Sequence, residues 1–207
     1  MLLALTLTLL VLPAFPAEPG SREEALAALK SPDAAMRAEA IVWIANRGAP
    51  ADDNLLHARL RDESALVRSY AEQGLWLLWS RSGDAAVDRT LARGIEEMRA
   101  GRHAEAIATF SGIISSRPDF AEAWNKRATV YYLAGDFRRS LADCDEVLRR
   151  NPRHFGALSG AGLVHAQLQE YDRALARLRE ALKVNPNMIG VELEILRVEE
   201  LRRKRST

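Results

Sequence analysis

The sequence is poor in the residues that most catalytic and metal sites need. It holds one cysteine, Cys144, which excludes an intramolecular disulfide and any paired-cysteine metal or redox motif. No pair among its four histidines, His57, His103, His154 and His165, has the i, i+4 spacing of a helical metal site. There is no nucleophile elbow, no phosphate-binding glycine loop and no dinucleotide fingerprint. The formal net charge is +1, so no global field draws the chain to nucleic acid. Carboxylates are plentiful, yet no pair is set apart by an apolar setting. These absences point away from an enzyme and imply no cofactor or metal. β-Branched runs are few and alanine and leucine abound, which favours helix.

Charge is also absent from the first 17 residues, MLLALTLTLLVLPAFPA. The apolar run Leu2 to Leu12 is shorter than the roughly 20 residues of a membrane-spanning helix. It has the length of a secretory h-region, with Pro13 and Pro16 ending the helix. Residues 1–17 are therefore expected to be a signal peptide and the mature chain to begin near Glu18. The protein is then exported, in a bacterial periplasm, with no stable membrane span after processing.

What is present is repetition. AGDFRRSLADCDEVLRRNP from Ala134 lines up with AGRHAEAIATFSGIISSRP from Ala100 and LQEYDRALARLREALKVNP from Leu168, with Pro118, Pro152 and Pro186 spaced 34 residues apart. A fixed period of this size marks a repeat array. The units are 87–120, 121–154 and 155–188, each two helical runs around a turn. In the middle unit the runs are 122–134 and 138–150, with Gly135 between them. Equivalent slots hold equivalent residues. Gly94, Ala128 and Gly162 are small where helices cross. Phe110, Cys144 and Leu178 fill the space between them, so Cys144 reads as a small hydrophobe. These units closely resemble tetratricopeptide repeats.

A second pattern precedes them. LKSPDAAMRAEAIVWI from Leu29 matches LRDESALVRSYAEQGLWLLW from Leu60 at an offset of 31, pairing Arg37 with Arg68. A leucine, an acidic turn, an apolar-Arg pair and an amphipathic helix resemble a HEAT-type repeat. Residues 18–86 are expected to form a HEAT-like helical segment packed on the first 34-residue unit. Val191, Ile195 and Val198 lie on one helix face, so 189–207 are expected to be a capping helix with a basic tail, RRKRST. The whole is expected to be an all-α, right-handed α-solenoid of stacked helix hairpins.

The resemblance implies a concave groove lined by the first helix of each unit. Its residues here would be Leu91, Ile95 and Met98 at an apolar end, Asn125, Thr129 and Tyr132 in the middle, and Ser159, Leu163 and Gln167 beyond. Such a groove suits a protein or peptide partner. A carboxylate clamp of the chaperone-tail type is not expected, because Leu91, Ile95, Gly156 and Gly160 stand in most of its slots. LWLLWSRSGD, AEAWNKRATVYYLAGDF and PRHFGALSGAG are similar to small tetratricopeptide proteins of exporting bacteria. They direct attention to Lys126, Arg127, Arg153 and His154 as a candidate anion patch. The expected function is a non-catalytic protein- or peptide-binding scaffold. The alternatives are a structural subunit of a cell-envelope complex or a binder of small anions.

Overall fold

The computed structural model describes residues 18–205; the expected signal peptide lies outside them. All regular structure among the described residues is helical. The N-terminal block holds α1 (Arg22–Ala28), α2 (Ala34–Arg47), α3 (Asp53–Arg59) and α4 (Ala65–Trp79), with a 3-10 turn at Pro50–Asp52 before α3. The 34-residue units supply the pairs α5 (Ala85–Arg99) and α6 (His103–Ser116), α7 (Ala121–Leu133) and α8 (Phe137–Arg150), and α9 (Phe155–Gln167) and α10 (Tyr171–Val184). The chain closes with α11 (Ile189–Arg205).

The helices begin where the sequence offers an acceptor to the free first-turn amides. Ser21, Asp33, Asp84 and Asp136 cap α1, α2, α5 and α8 with their side chains. The imidazole of His154 does the same for α9, its Nδ1 accepting from the Ala157 amide at 3.1 Å. The turns inside the three units share one left-handed residue, Gly101, Gly135 and Gln169, with φ of 72°, 77° and 60°.

From α5 to α11 each helix packs on the next. The small slots do what their spacing implies. A Cβ on Gly94 would stand 2.5 Å from Phe110, and one on Gly162 would stand 2.6 Å from Leu178. Ser140 adds a buried hydrogen bond between α8 and α7, its Oγ donating to the Ala128 carbonyl at 2.8 Å.

The N-terminal block departs from expectation. Its α4 packs on α2 and α3 but makes no comparable contact with α5. Instead the block rests on the turns of the second and third units. Phe155 of α9 is completed by its core of Ile41, Ile44, Leu56, Leu60 and Leu75. The Arg68 Nε donates to Asn187 Oδ1 at 3.0 Å, and Asn187 Nδ2 donates to the Leu60 carbonyl at 2.8 Å. Arg61 donates to the carbonyl of Lys183. The expected stacking on the first 34-residue unit is thus replaced by docking on residues 153–188. Trp76 and Trp79 end α4 with an aromatic edge that packs on His154 and Phe155.

Candidate functional site

The inner helices α7 and α9 form the floor of a groove, and α4 forms one wall. Trp76 reaches over this floor. A Cβ on Gly156 would overlap the Trp76 ring, so the missing side chain is what admits the indole. Lys126 Nζ lies 5.3 Å from the Trp76 ring centre, a cation–π distance. The space left beside the indole is a cavity of about 260 Å³, floored by Asn125, Thr129, Tyr132, Ser159 and Leu163, with Cys144 and Met188 at its base. It continues past Ser159, Leu163 and Met188 into a second hollow of about 380 Å³ against Glu72 of α4 and Gly190, Val191 and Glu194 of α11. The groove is therefore elongated, with a floor that mixes apolar surface with amide and hydroxyl groups along it.

Five of the nine expected groove residues line this cavity: Asn125, Thr129, Tyr132, Ser159 and Leu163. Gln167 stands at its edge, its Nε2 donating to the Tyr132 hydroxyl at 3.2 Å. The other three do not line it. Leu91 is a core residue, 2% exposed, and Ile95 and Met98 pack against the same core. They face inward because α5 turns its apolar side onto α6 and α7. Asn125 is also more than a groove amide. It is buried and donates to Glu122 Oε2 at 3.0 Å.

Glu122 anchors the junction beneath the groove. Its carboxylate is enclosed and meets Lys126 Nζ at 2.8 Å and His154 Nε2 at 3.1 Å. Burial opposes its charge, but the His154 hydrogen bond and the Lys126 ammonium prevail and hold its pKa below the ordinary value. His154 stacks on Trp79, ring centres 4.2 Å apart. Trp76 meets Phe155 edge-on at 5.2 Å, the geometry aromatic pairs prefer.

These contacts dissolve the expected anion patch. Lys126 and His154 are committed to Glu122. Arg127 faces the other way, forked onto Asp143 with both bonds at 2.8 Å and onto Ser111 Oγ at 2.9 Å. Arg153 bonds Asp53 at 3.1 Å and Asn54 at 2.6 Å. Four side chains adjacent in sequence or turn thus serve three separate contacts. Cys144 is 2% exposed; burial, then Asp143 and Asp145, push its thiol up to about 12. It is a protonated lining atom and no nucleophile. Sequence reasoning placed Gly156 among the groove slots but missed Trp76 and Met188 as groove residues. The available signal was the bare Gly156 in a slot that elsewhere carries a side chain, together with a tryptophan pair of matching bulk in LWLLW.

With this geometry in view, the comparisons are decisive for family. The tetratricopeptide repeat profile matches residues 91–153 and 127–189. A TPR repeat-containing protein of Rhizobium etli is 32% identical over 139 residues, 65% of this chain and 68% of that protein. The chain belongs to the tetratricopeptide repeat family. Hsp70-Hsp90 organizing protein 1 of Glycine max is 29% identical over 100 residues, which span 48% of this chain but only 18% of that protein. Among solved structures, the first tetratricopeptide domain of Spaghetti (RPAP3), bound to the HSP90 peptide SRMEEVD, superposes with a TM-score of 0.54 at 20% identity over 56% of this chain and 91% of that one. The fold is that of an α-solenoid, and no described helix is long and apolar enough to cross a membrane.

Proposed function

We propose that the protein is a non-catalytic scaffold that holds a segment of a partner protein in the groove between α4, α7, α9 and α11. The observation carrying this reading is the shape of the site: two connected hollows over one floor, sharing Ser159, Leu163 and Met188. An extended chain fills such a form better than a compact metabolite does. Apolar floor contacts supply affinity, while the hydroxyls of Thr129 and Ser159 accept backbone N–H groups. A related fold that carries a peptide, the Spaghetti domain, supports the class of ligand. The peptide sequence is expected to differ, because Gly156 and Trp76 reshape the floor.

The groove reading is tested by placing a photo-crosslinking residue at Ser159 in the native host. A discrete crosslinked partner that disappears with Leu163→Arg supports it. Crosslinks unaffected by Leu163→Arg would place binding on another face. The protein is further proposed to act after export, in the periplasm. Fractionation with N-terminal sequencing tests this: a chain starting near Glu18 in the periplasmic fraction supports it, and a cytoplasmic chain retaining Met1 overturns it.

A further inference from the structure

A second cavity, of about 520 Å³, lies where the N-terminal block meets the turns before α7 and α9. It shares no lining residue with the groove cavity. Four arginines line it: Arg81, Arg117, Arg150 and Arg153. Two are spent on nearby carboxylates. Arg150 bonds Glu146, and Arg153 bonds Asp53. The acidic lining residues are spent as well. Glu122 is held by Lys126 and His154, and Asp119 turns outward, its side chain 78% exposed.

Arg81 and Arg117 are different. Arg81 has no carboxylate within ion-pair reach among the described residues. Its Nη1 donates to the carbonyls of Ala45 and Gly48 at 3.0 and 3.1 Å, which leaves its other donors available. The Nη2 of Arg117 donates to the Ser82 carbonyl at 3.2 Å, one residue beyond Arg81, and its Nε is 3.7 Å from Asp119. The start of α7 borders the same space, and Phe120 at its N-cap offers no side-chain acceptor to the first-turn amides. One guanidinium without a carboxylate partner, a second paired only at 3.7 Å with the exposed Asp119, and an uncapped helix start thus line one hollow. Each is a donor matched to oxyanions: a guanidinium forks onto two oxygens, and free first-turn amides favour negative charge.

We propose that this junction cavity binds one oxyanion, a carboxylate or a phosphate, between Arg81, Arg117 and the start of α7. The site is independent of the groove reading. It ties ligand binding to the seam between α4 and the repeat array, since Arg81 belongs to one and Arg117 to the other.

The test is titration of the full chain with inorganic phosphate and with acetate, against sodium chloride at matched ionic strength. Amide and arginine side-chain N–H resonances are followed by NMR. Saturable shifts at the Ala121 and Glu122 amides and at Arg81 and Arg117, absent with chloride, are expected for at least one of the two anions. Which anion saturates distinguishes a carboxylate site from a phosphate site. Arg117→Gln is expected to weaken binding at least tenfold, and Arg117→Lys, which keeps charge but loses the fork, by less. Arg117 donates only one bond to backbone, so its variants keep the fold and decide the matter even if Arg81→Gln loosens α4. Shifts equal to those in chloride, or binding unchanged in Arg117→Gln, would overturn the proposal.

Discussion

At the scale of single residues, the groove depends on a side chain that is missing. Gly156 makes room for Trp76, so Gly156→Ala should cost about 1–3 kcal/mol through overpacking. In a Trp76→Ala background the same change should cost under about 0.5 kcal/mol, because the two residues act as one contact. Urea unfolding of the four proteins measures this, and equal costs in both backgrounds would show that the indole does not rest on Gly156. His57 carries a second residue-scale prediction. Its imidazole is buried beside Trp79. Burial, then the charges of Arg153, His154 and Arg61, lower its pKa from 6.5 to about 4. The unfolded chain therefore takes up this proton first as pH falls. Stability should drop between about pH 6.5 and 4, by at most about 3 kcal/mol, and level off below. His57→Gln should remove that part of the pH dependence, leaving the acid-side loss from carboxylates such as Glu122, whose lowered pKa contributes only above its titration. The sequence marks Gly156 only as a bare groove slot and His57 not at all. A glycine in a helix and a lone histidine each fit many environments, and only the approach of α4 gives them one.

At the scale of elements, periodicity made most of the fold legible. Spacing alone located the three helix pairs, the crossing at Gly94 and Gly162, and the filler positions of Phe110, Cys144 and Leu178. It worked because each unit repeats the same local packing problem, so one solution recurs. The offset of 31 has a physical counterpart too. Arg37 donates to the carbonyls of Ser31 and Pro32, and Arg68 donates to those of Asp62 and Glu63. The equivalence extends outward: Arg37 forks onto Asp62 with bonds of 3.0 and 2.7 Å, and Arg68 finds Asn187 in the corresponding place. Where a unit breaks its own pattern, stability should be gained by restoring it. Gln169 holds the left-handed position that Gly101 and Gly135 hold in the other units. Such a conformation costs a residue with a Cβ about 1–2 kcal/mol, part of which glycine returns through greater freedom of the unfolded chain. Gln169→Gly should therefore stabilise by about 0.5–1 kcal/mol, read as a raised thermal midpoint. Gly135→Gln should destabilise by about 1 kcal/mol. A Gln169→Gly variant that melts lower than the parent would show that the Gln169 side chain makes up for its backbone strain.

At the scale of the whole molecule, the chain order misleads. The N-terminal block precedes α5 in sequence but packs on turns up to 127 residues further on. Periodic patterns describe neighbours within an array, and they contain no information about a surface that curls back on itself. The sequence led to Leu91, Ile95 and Met98 as an open apolar end, which packs instead on α6 and α7, and to a basic patch around Lys126, which the seam takes up. The docked block closes one side of the groove with Trp76 and commits Lys126, Arg153 and His154 to the seam. If the seam is integral to the fold, its contacts should be energetically coupled. Arg68 and Asn187 meet across it, and Asn187 also reaches the Leu60 carbonyl. Removing either side chain leaves polar groups without partners, so Arg68→Ala and Asn187→Ala should each cost about 1–3 kcal/mol. The double variant should cost at least about 0.5 kcal/mol less than the sum of the two. Far-ultraviolet circular dichroism reports the helices of the whole chain, while tryptophan fluorescence is weighted toward the seam by Trp76 and Trp79. In the parent protein the two should change at the same urea concentration. Additive costs, with fluorescence changing well before helicity, would instead describe a block that undocks by itself and leaves the groove open on that side.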